Sequence, residues 1–251
     1  MAPVSERPGP HAVDLTISRI EEAGERVAAT AAALSDEQMR EPSLLPGWSR
    51  GHVLTHIARN ADGLGNLLTW ASTGIETPQY ASQQARDEEI EAGAGRPAAD
   101  LIEDVTRSSA AFVTLARELP PEAWAAEVRG LRGPSHPAWY TLQRRLTEVE
   151  IHHVDVAAGY TAADWPDWFL ATMTYEVIGQ MSANPAAPSA VLTDTASGRQ
   201  YLLRPGGRGA DDGGLAISGP GHDLLAWLLG RGDGAALTAD PDGPLPGLPP
   251  Y

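Results

Sequence analysis

Thr147-Glu148-Val149-Glu150-Ile151-His152-His153-Val154-Asp155 is the stretch whose reading organises this 251-residue chain. Set on a helix, it places Glu148, His152 and Asp155 on one face, at intervals of four and three. A carboxylate and an imidazole one turn apart form half of a metal site, and the other half must come from a second helix. The best candidate is Leu45-Pro46-Gly47-Trp48-Ser49-Arg50-Gly51-His52-Val53-Leu54-Thr55-His56-Ile57-Ala58-Arg59. There Ser49 suits an N-cap, and His56 lies at the edge of an apolar stripe of Val53, Ile57, Leu64, Leu67 and Leu68. The reading is a zinc-type site of His56, Glu148 and His152 inside a helical bundle. Zinc catalysis favours three such ligands and one open position.

Neighbouring residues compete for roles. A Glu/His pair one turn apart also occurs as a plain hydrogen-bonded pair. His52 stands one turn before His56 and could replace it, although its place in the first turn suits a cap. His153 is rotated about 100° from His152 and reads as an outer or packing residue. Asp155 reads either as a partner that orients a ligand or as solvated surface. Trp48 and Trp70 flank the second helix and read as core or pocket wall.

Composition narrows the chemistry. Without cysteine there is no disulfide, no cysteine nucleophile and no thiolate-ligated metal, so any thiol must be brought in. A formal net charge of −15 argues against nucleic acid as a partner. All eighteen basic residues are arginine. Arg86, in a long connection, and Arg231, in Gly230-Arg231-Gly232, could each hold a carboxylate with two N–H groups or simply be exposed. No apolar run is long enough to span a bilayer, and Met1 to Val13 lacks a signal-peptide apolar region, so a cytoplasmic location and no membrane partner are expected.

Periodicity predicts helices over about 14–34, 52–70, 97–119 and 138–158, with Gly159 as the residue closing the last, hence a four-helix bundle. Residues 71–97 read as a long connection, of the kind that is often functional. A further helix is expected over about 165–181. Strand-like runs follow at 189–193, 200–203 and 215–217, then a short helix at 222–230, an edge strand at 235–238 and a Pro-rich end to Tyr251. The expected fold is an α bundle over 1–164 and a small C-terminal α+β domain over 165–251.

Leu45-Pro46-Gly47-Trp48-Ser49…His56, taken with Glu148 to Asp155, resembles the mycothiol-dependent maleylpyruvate isomerase family, a group of DinB-like metal-binding four-helix bundles. So do Asn66 to Gly74, Glu76-Thr77-Pro78, Ala85-Arg86-Asp87-Glu88-Glu89 and Gly230-Arg231-Gly232. The resemblance implies a cis-trans isomerase of gentisate breakdown that turns maleylpyruvate into fumarylpyruvate. It implies His56, Glu148 and His152 as ligands of a divalent metal, expected to be zinc. It implies Arg86 and Arg231 acting on carboxylates or hydroxyls, and mycothiol as the thiol cofactor. A monomer acting on a small dicarboxylate is expected. Glu150 departs from the pattern, where a larger apolar side chain is expected, but it faces away from the ligands. Besides a stand-alone hydrolase using zinc-bound water, two other readings stay open. One is a mycothiol S-transferase acting on another electrophile. The other is a non-enzymatic metal-binding or regulatory module.

Overall fold

The computed structural model describes residues 8–205 and 215–249. The first residues of the stretch read above as lacking a leader, and the last two of the Pro-rich end, lie outside them. The chain divides between Tyr160 and Thr161 into two compact units.

The N-terminal unit is a helical bundle. α1 (Pro10–Ala32) begins with proline in its first turn, where no N–H is needed, and buries Val13, Ile17, Ile20, Val27 and Ala31 along one stripe. A single turn, α2 (Asp36–Met39), follows. α3 (Arg50–Thr73) starts in a reciprocal cap: the Ser49 hydroxyl accepts from the His52 N–H, and the His52 ring bonds back to the Ser49 N–H. It ends at Gly74 with φ +71°, a left-handed residue that closes its last turn. α5 (Ala98–Glu118) and α6 (Tyr140–Asp155) complete the four long helices. α1 and α3 each pack against both α5 and α6. Leu54, Ile57, Leu64, Leu67, Leu101 and Phe112 are among the side chains that fill the space between them.

Two expectations change here. Residues 83–94 of the supposed connection form α4 (Gln83–Ala94). Its surface is polar nearly all round, held by Gln83 to Asp87 and Gln84 to Glu88 bonds one turn apart, so no apolar stripe marks it. It seats Gly93 and Ala94 against α3, where the Ala94 carbonyl leaves no room for a Cβ at Gly51. α6 ends not at Gly159 but at Asp155, and the first left-handed residue after it is Ala157, with φ +55°. A two-residue antiparallel pair, β1 (Glu127–Val128) with β2 (His136–Pro137), pins the loop before α6.

The C-terminal unit is α+β. α7 (Asp167–Ser182) is followed by β3 (Ala190–Asp194), β4 (Gln200–Leu203), β5 (Leu215–Gly219), α8 (Gly221–Leu228) and β6 (Thr238–Asp240). The sheet order is β4-β3-β5-β6, with β3 and β5 parallel and the outer pairs antiparallel. Ala190, Leu192, Tyr201, Leu203 and Ile217 alternate inward. α7 packs on β4, and α8 on β3 and β5. The last strand begins at Thr238 rather than at 235, because Leu237 is tied into a turn by its bond to the Gly234 carbonyl.

Candidate metal centre and pocket

Within the bundle, α3 and α6 run against each other and bring His56, Glu148 and His152 together. One ligand atom from each lies within 4.8 Å of the others. His56 Nε2 is 3.0 Å and His152 Nε2 3.3 Å from Glu148 Oε2. The two rings meet edge to face at 4.6 Å. Trp48 lies against the rings of both His52 and His56.

Each ligand candidate is held from behind. His152 Nδ1 donates to Asp155 Oδ2 at 2.8 Å, which leaves Nε2 facing the cluster. Asp155 is fully buried, so it serves as the orienting partner and not as solvated surface. Arg86 Nη2 donates to His56 Nδ1 at 3.1 Å, so that nitrogen is the acceptor and Nε2–H donates to Glu148. His52 takes the capping role, with an outward contact to Glu91. His153 points away, stacked on Tyr160 and bonded to Thr30. Glu150 is also turned away and fully buried, bonded to Arg26 at 2.5 Å and Tyr160 at 2.7 Å.

Charge in the cluster is strongly coupled. Burial would raise the Glu148 pKa, but hydrogen bonds from His152 and His56 outweigh it and hold the carboxyl well below its ordinary range. Burial would lower the His152 pKa, yet Asp155 and Glu148 push it up to about 9. His56 goes the other way, lowered by burial and then by the nearby His152. The cluster is thus an imidazole, a carboxylate and an imidazolium whose Nε2 atoms converge on one oxygen. Two imidazole nitrogens and one carboxylate oxygen so placed fit a tetrahedral zinc-type cation with one position to spare.

His56 and Glu148 form part of the wall of a cavity of about 230 Å³. Its remaining wall includes Arg86, Arg132 and Arg144, with Gln79 and Tyr80. The Tyr80 hydroxyl is buried without a hydrogen-bond partner among the described residues. Burial, and then the Glu148 charge, push its pKa up to about 12, so it stays a neutral donor. Next along α6, Arg145 is fully buried on neutral acceptors: Nη1 to Ile57 O at 2.8 Å and Asn60 Oδ1 at 2.9 Å, Nη2 to Ser109 Oγ at 3.1 Å.

Of the arginines singled out in the sequence, Arg86 sits at this cavity, on α4. Arg231 belongs to the C-terminal unit, just after α8, where its N–H bonds the Ala226 carbonyl and its guanidinium the Leu229 carbonyl. Gln79, Tyr80, Arg132 and Arg144 are not among the site residues expected from the sequence, although Gln79 and Tyr80 lie in the long connection. For Arg144 the signal was present, since it precedes Glu148 by one helical turn on the same face.

Two family models match the chain. The mycothiol maleylpyruvate isomerase N-terminal domain covers residues 20–157, and the C-terminal domain of the same isomerase covers 161–250. A crystal structure of a mycothiol-dependent maleylpyruvate isomerase superposes with a TM-score of 0.86 at 31% identity, over 95% of this chain and 97% of that one. A structure of a histidine-to-alanine variant of the mycothiol-dependent maleylpyruvate isomerase superposes with the same score at 30% identity, over the same shares. Comparison with curated proteins returns no match. With a family model over most of each unit, this chain belongs to the mycothiol-dependent maleylpyruvate isomerase family.

Proposed function

We propose that the protein is a metal- and mycothiol-dependent cis-trans isomerase that converts maleylpyruvate to fumarylpyruvate. The observation that carries this reading is one cavity that joins the His56, Glu148 and His152 cluster to a wall of arginines in an otherwise acidic chain. Family membership and the absence of any cysteine, which leaves the thiol to a cofactor, support it.

His56, Glu148 and His152 would hold the cation, and zinc suits this donor set. When bound, the cation and mycothiol would supply a thiolate at neutral pH, and its reversible addition to the conjugated double bond lets that bond rotate. The chain's own residues set the frame for that chemistry. Asp155 fixes the ring plane of His152. Arg86 stands over the Tyr80 ring, 6.0 Å from its centroid, where its charge can meet a carboxylate or a developing enolate. Tyr80 offers a neutral O–H to the same space. Arg231 is part of the proposal through the family resemblance, and substitution tests it.

Guanidinium groups at the cavity favour a dianionic substrate over the mixed electrophiles of an S-transferase. No helix among the described residues is long and apolar enough to cross a membrane, and a cytoplasmic monomer is the proposed setting. The test is isomerisation of maleylpyruvate by zinc-loaded and chelator-treated protein, each with and without mycothiol, with the product identified. Fumarylpyruvate formed only with metal and thiol together supports the reading. Absence of turnover by metal-loaded protein with mycothiol present ends it.

A further inference from the structure

Among the described residues, Arg144 and Arg132 have no carboxylate within ion-pair distance. In a chain of net charge −15, carboxylates are abundant, and most arginines of the bundle have found one. Arg144 and Arg132 make no ion pair among the described residues, although both border the cavity of the metal cluster. Arg144 has only neutral and long contacts, to Gln79 Oε1 at 3.4 Å and His136 Nε2 at 3.4 Å. Arg132 donates to the Gln83 amide oxygen at 2.7 Å.

The place is built. Arg144, Glu148 and His152 stand on successive turns of one face of α6, so the guanidinium is fixed relative to the metal ligands. The loop before β2 is laid directly on it: a Cβ at Gly130 would collide with the Arg144 guanidinium and approach the Gln79 amide oxygen to 2.8 Å. That oxygen also accepts from the Leu131 N–H at 2.9 Å, which holds the loop down. His136, on β2, closes the other side, and burial keeps its pKa low, so it adds no second fixed charge. A planar fork held half-buried and unneutralised is the arrangement that binds a carboxylate through two N–H groups.

We propose that Arg144, with Arg132, binds the α-keto-acid carboxylate of the substrate, the one remote from the double bond, and so makes the enzyme selective for the dicarboxylate. This rests on the isomerase reading. Arg86, which contacts the ligand His56, is then left for the reacting end. Arg144 is a specificity-determining residue, and it takes no part in bond making.

The test compares maleylpyruvate with maleylacetone, which carries a methyl group in place of that carboxylate. Steady-state kinetics are measured on zinc-loaded holoenzyme with saturating mycothiol, for the wild type, Arg144→Gln, Arg144→Lys and the exposed-site variant Arg132→Gln. Zinc content and the circular dichroism spectrum check each preparation. The expected result is a loss of about tenfold or more in kcat/KM for maleylpyruvate in Arg144→Gln, carried by KM, as loss of a bidentate charged contact gives. The loss should be smaller in Arg132→Gln and in Arg144→Lys, which keeps the charge without the fork. Activity on maleylacetone should stay within about twofold in all variants. Equal loss on both substrates, or an unchanged KM for maleylpyruvate in both glutamine variants, overturns the assignment while leaving the isomerase reading intact. If Arg144→Gln fails to fold, the selectivity change in Arg132→Gln decides, and its absence there overturns the assignment too. Wild-type protein that turns over neither compound ends the isomerase reading, and this one with it.

Discussion

Asp155 Oδ2 accepts a 2.8 Å hydrogen bond from His152 Nδ1, three residues earlier on α6, and is itself fully buried. A buried carboxylate behind a ligand histidine fixes the ring and its tautomer and strengthens the nitrogen that faces the metal.

Asp155→Asn keeps the size and loses the charge. Its affinity for zinc should fall by about 10–100-fold, the range for loss of such a partner. Competition with a chromophoric chelator measures it. An unchanged affinity would mean that helix packing alone holds His152.

Zinc binding to the folded chain should stabilise it. At free zinc about a hundredfold above the dissociation constant the gain is about 2.7 kcal/mol. It is read as a rise in melting temperature over chelator-treated protein, and Glu148→Gln or His152→Ala should abolish it. A wild-type melting point indifferent to zinc would count against the cluster as a metal site.

Arg86 reaches His56 Nδ1 from α4 and pairs with Asp87 on its other side. Arg86→Ala should cut turnover of maleylpyruvate more than about tenfold, as loss of a charged hydrogen-bond donor at a reacting centre does. Unaltered kcat and KM would remove it from the site.

Asp104, buried on α5, collects Arg59, Arg96 and Arg107. Burial would raise its pKa, but the hydrogen bonds of Arg96 and Arg107, with the charge of Arg59, outweigh that and lower it from 3.8. A lowered carboxyl pKa contributes stability that is fully present above the unfolded value and lost as pH falls through the folded one. Asp104→Asn should therefore destabilise the bundle by about 2 kcal/mol at pH 7, since it removes the charged acceptor that three partly exposed arginines share. The gap from wild type in urea unfolding should be constant above about pH 5 and narrow progressively as pH falls below the unfolded value of about 4. A gap that does not change with pH would assign the effect to packing.

Gly51→Ala should destabilise by about 1–3 kcal/mol, because its Cβ would press on the Ala94 carbonyl where α4 meets α3. Thermal unfolding measures it, and a neutral result would show that α4 can shift.

The four bundle helices and the cluster of His56, Glu148 and His152 were legible because they rest on local spacing. An apolar stripe at period 3.6 buries itself whatever the partner, and residues four apart on a helix must share a face. α4 was hidden for the converse reason. Only Ile90, Gly93 and Ala94 are buried on it, so its pattern carries no period, and it stands on caps and polar pairs. Asp155 could be placed on the ligand face but not inside or outside, because burial depends on what packs against that face. The rest of the cavity wall beside the candidate metal cluster comes from several separate segments. Gln79 precedes α4, Arg132 lies between β1 and β2, and Arg144 lies on α6. Only chain folding sets such non-local contacts. The sequence by itself thus determined the bundle, the types of the candidate ligands and that any thiol must come from outside the chain. The tertiary structure decided which arginines meet the cavity and which of them lack an anion, because a charge finds or misses its partner only when the helices have docked.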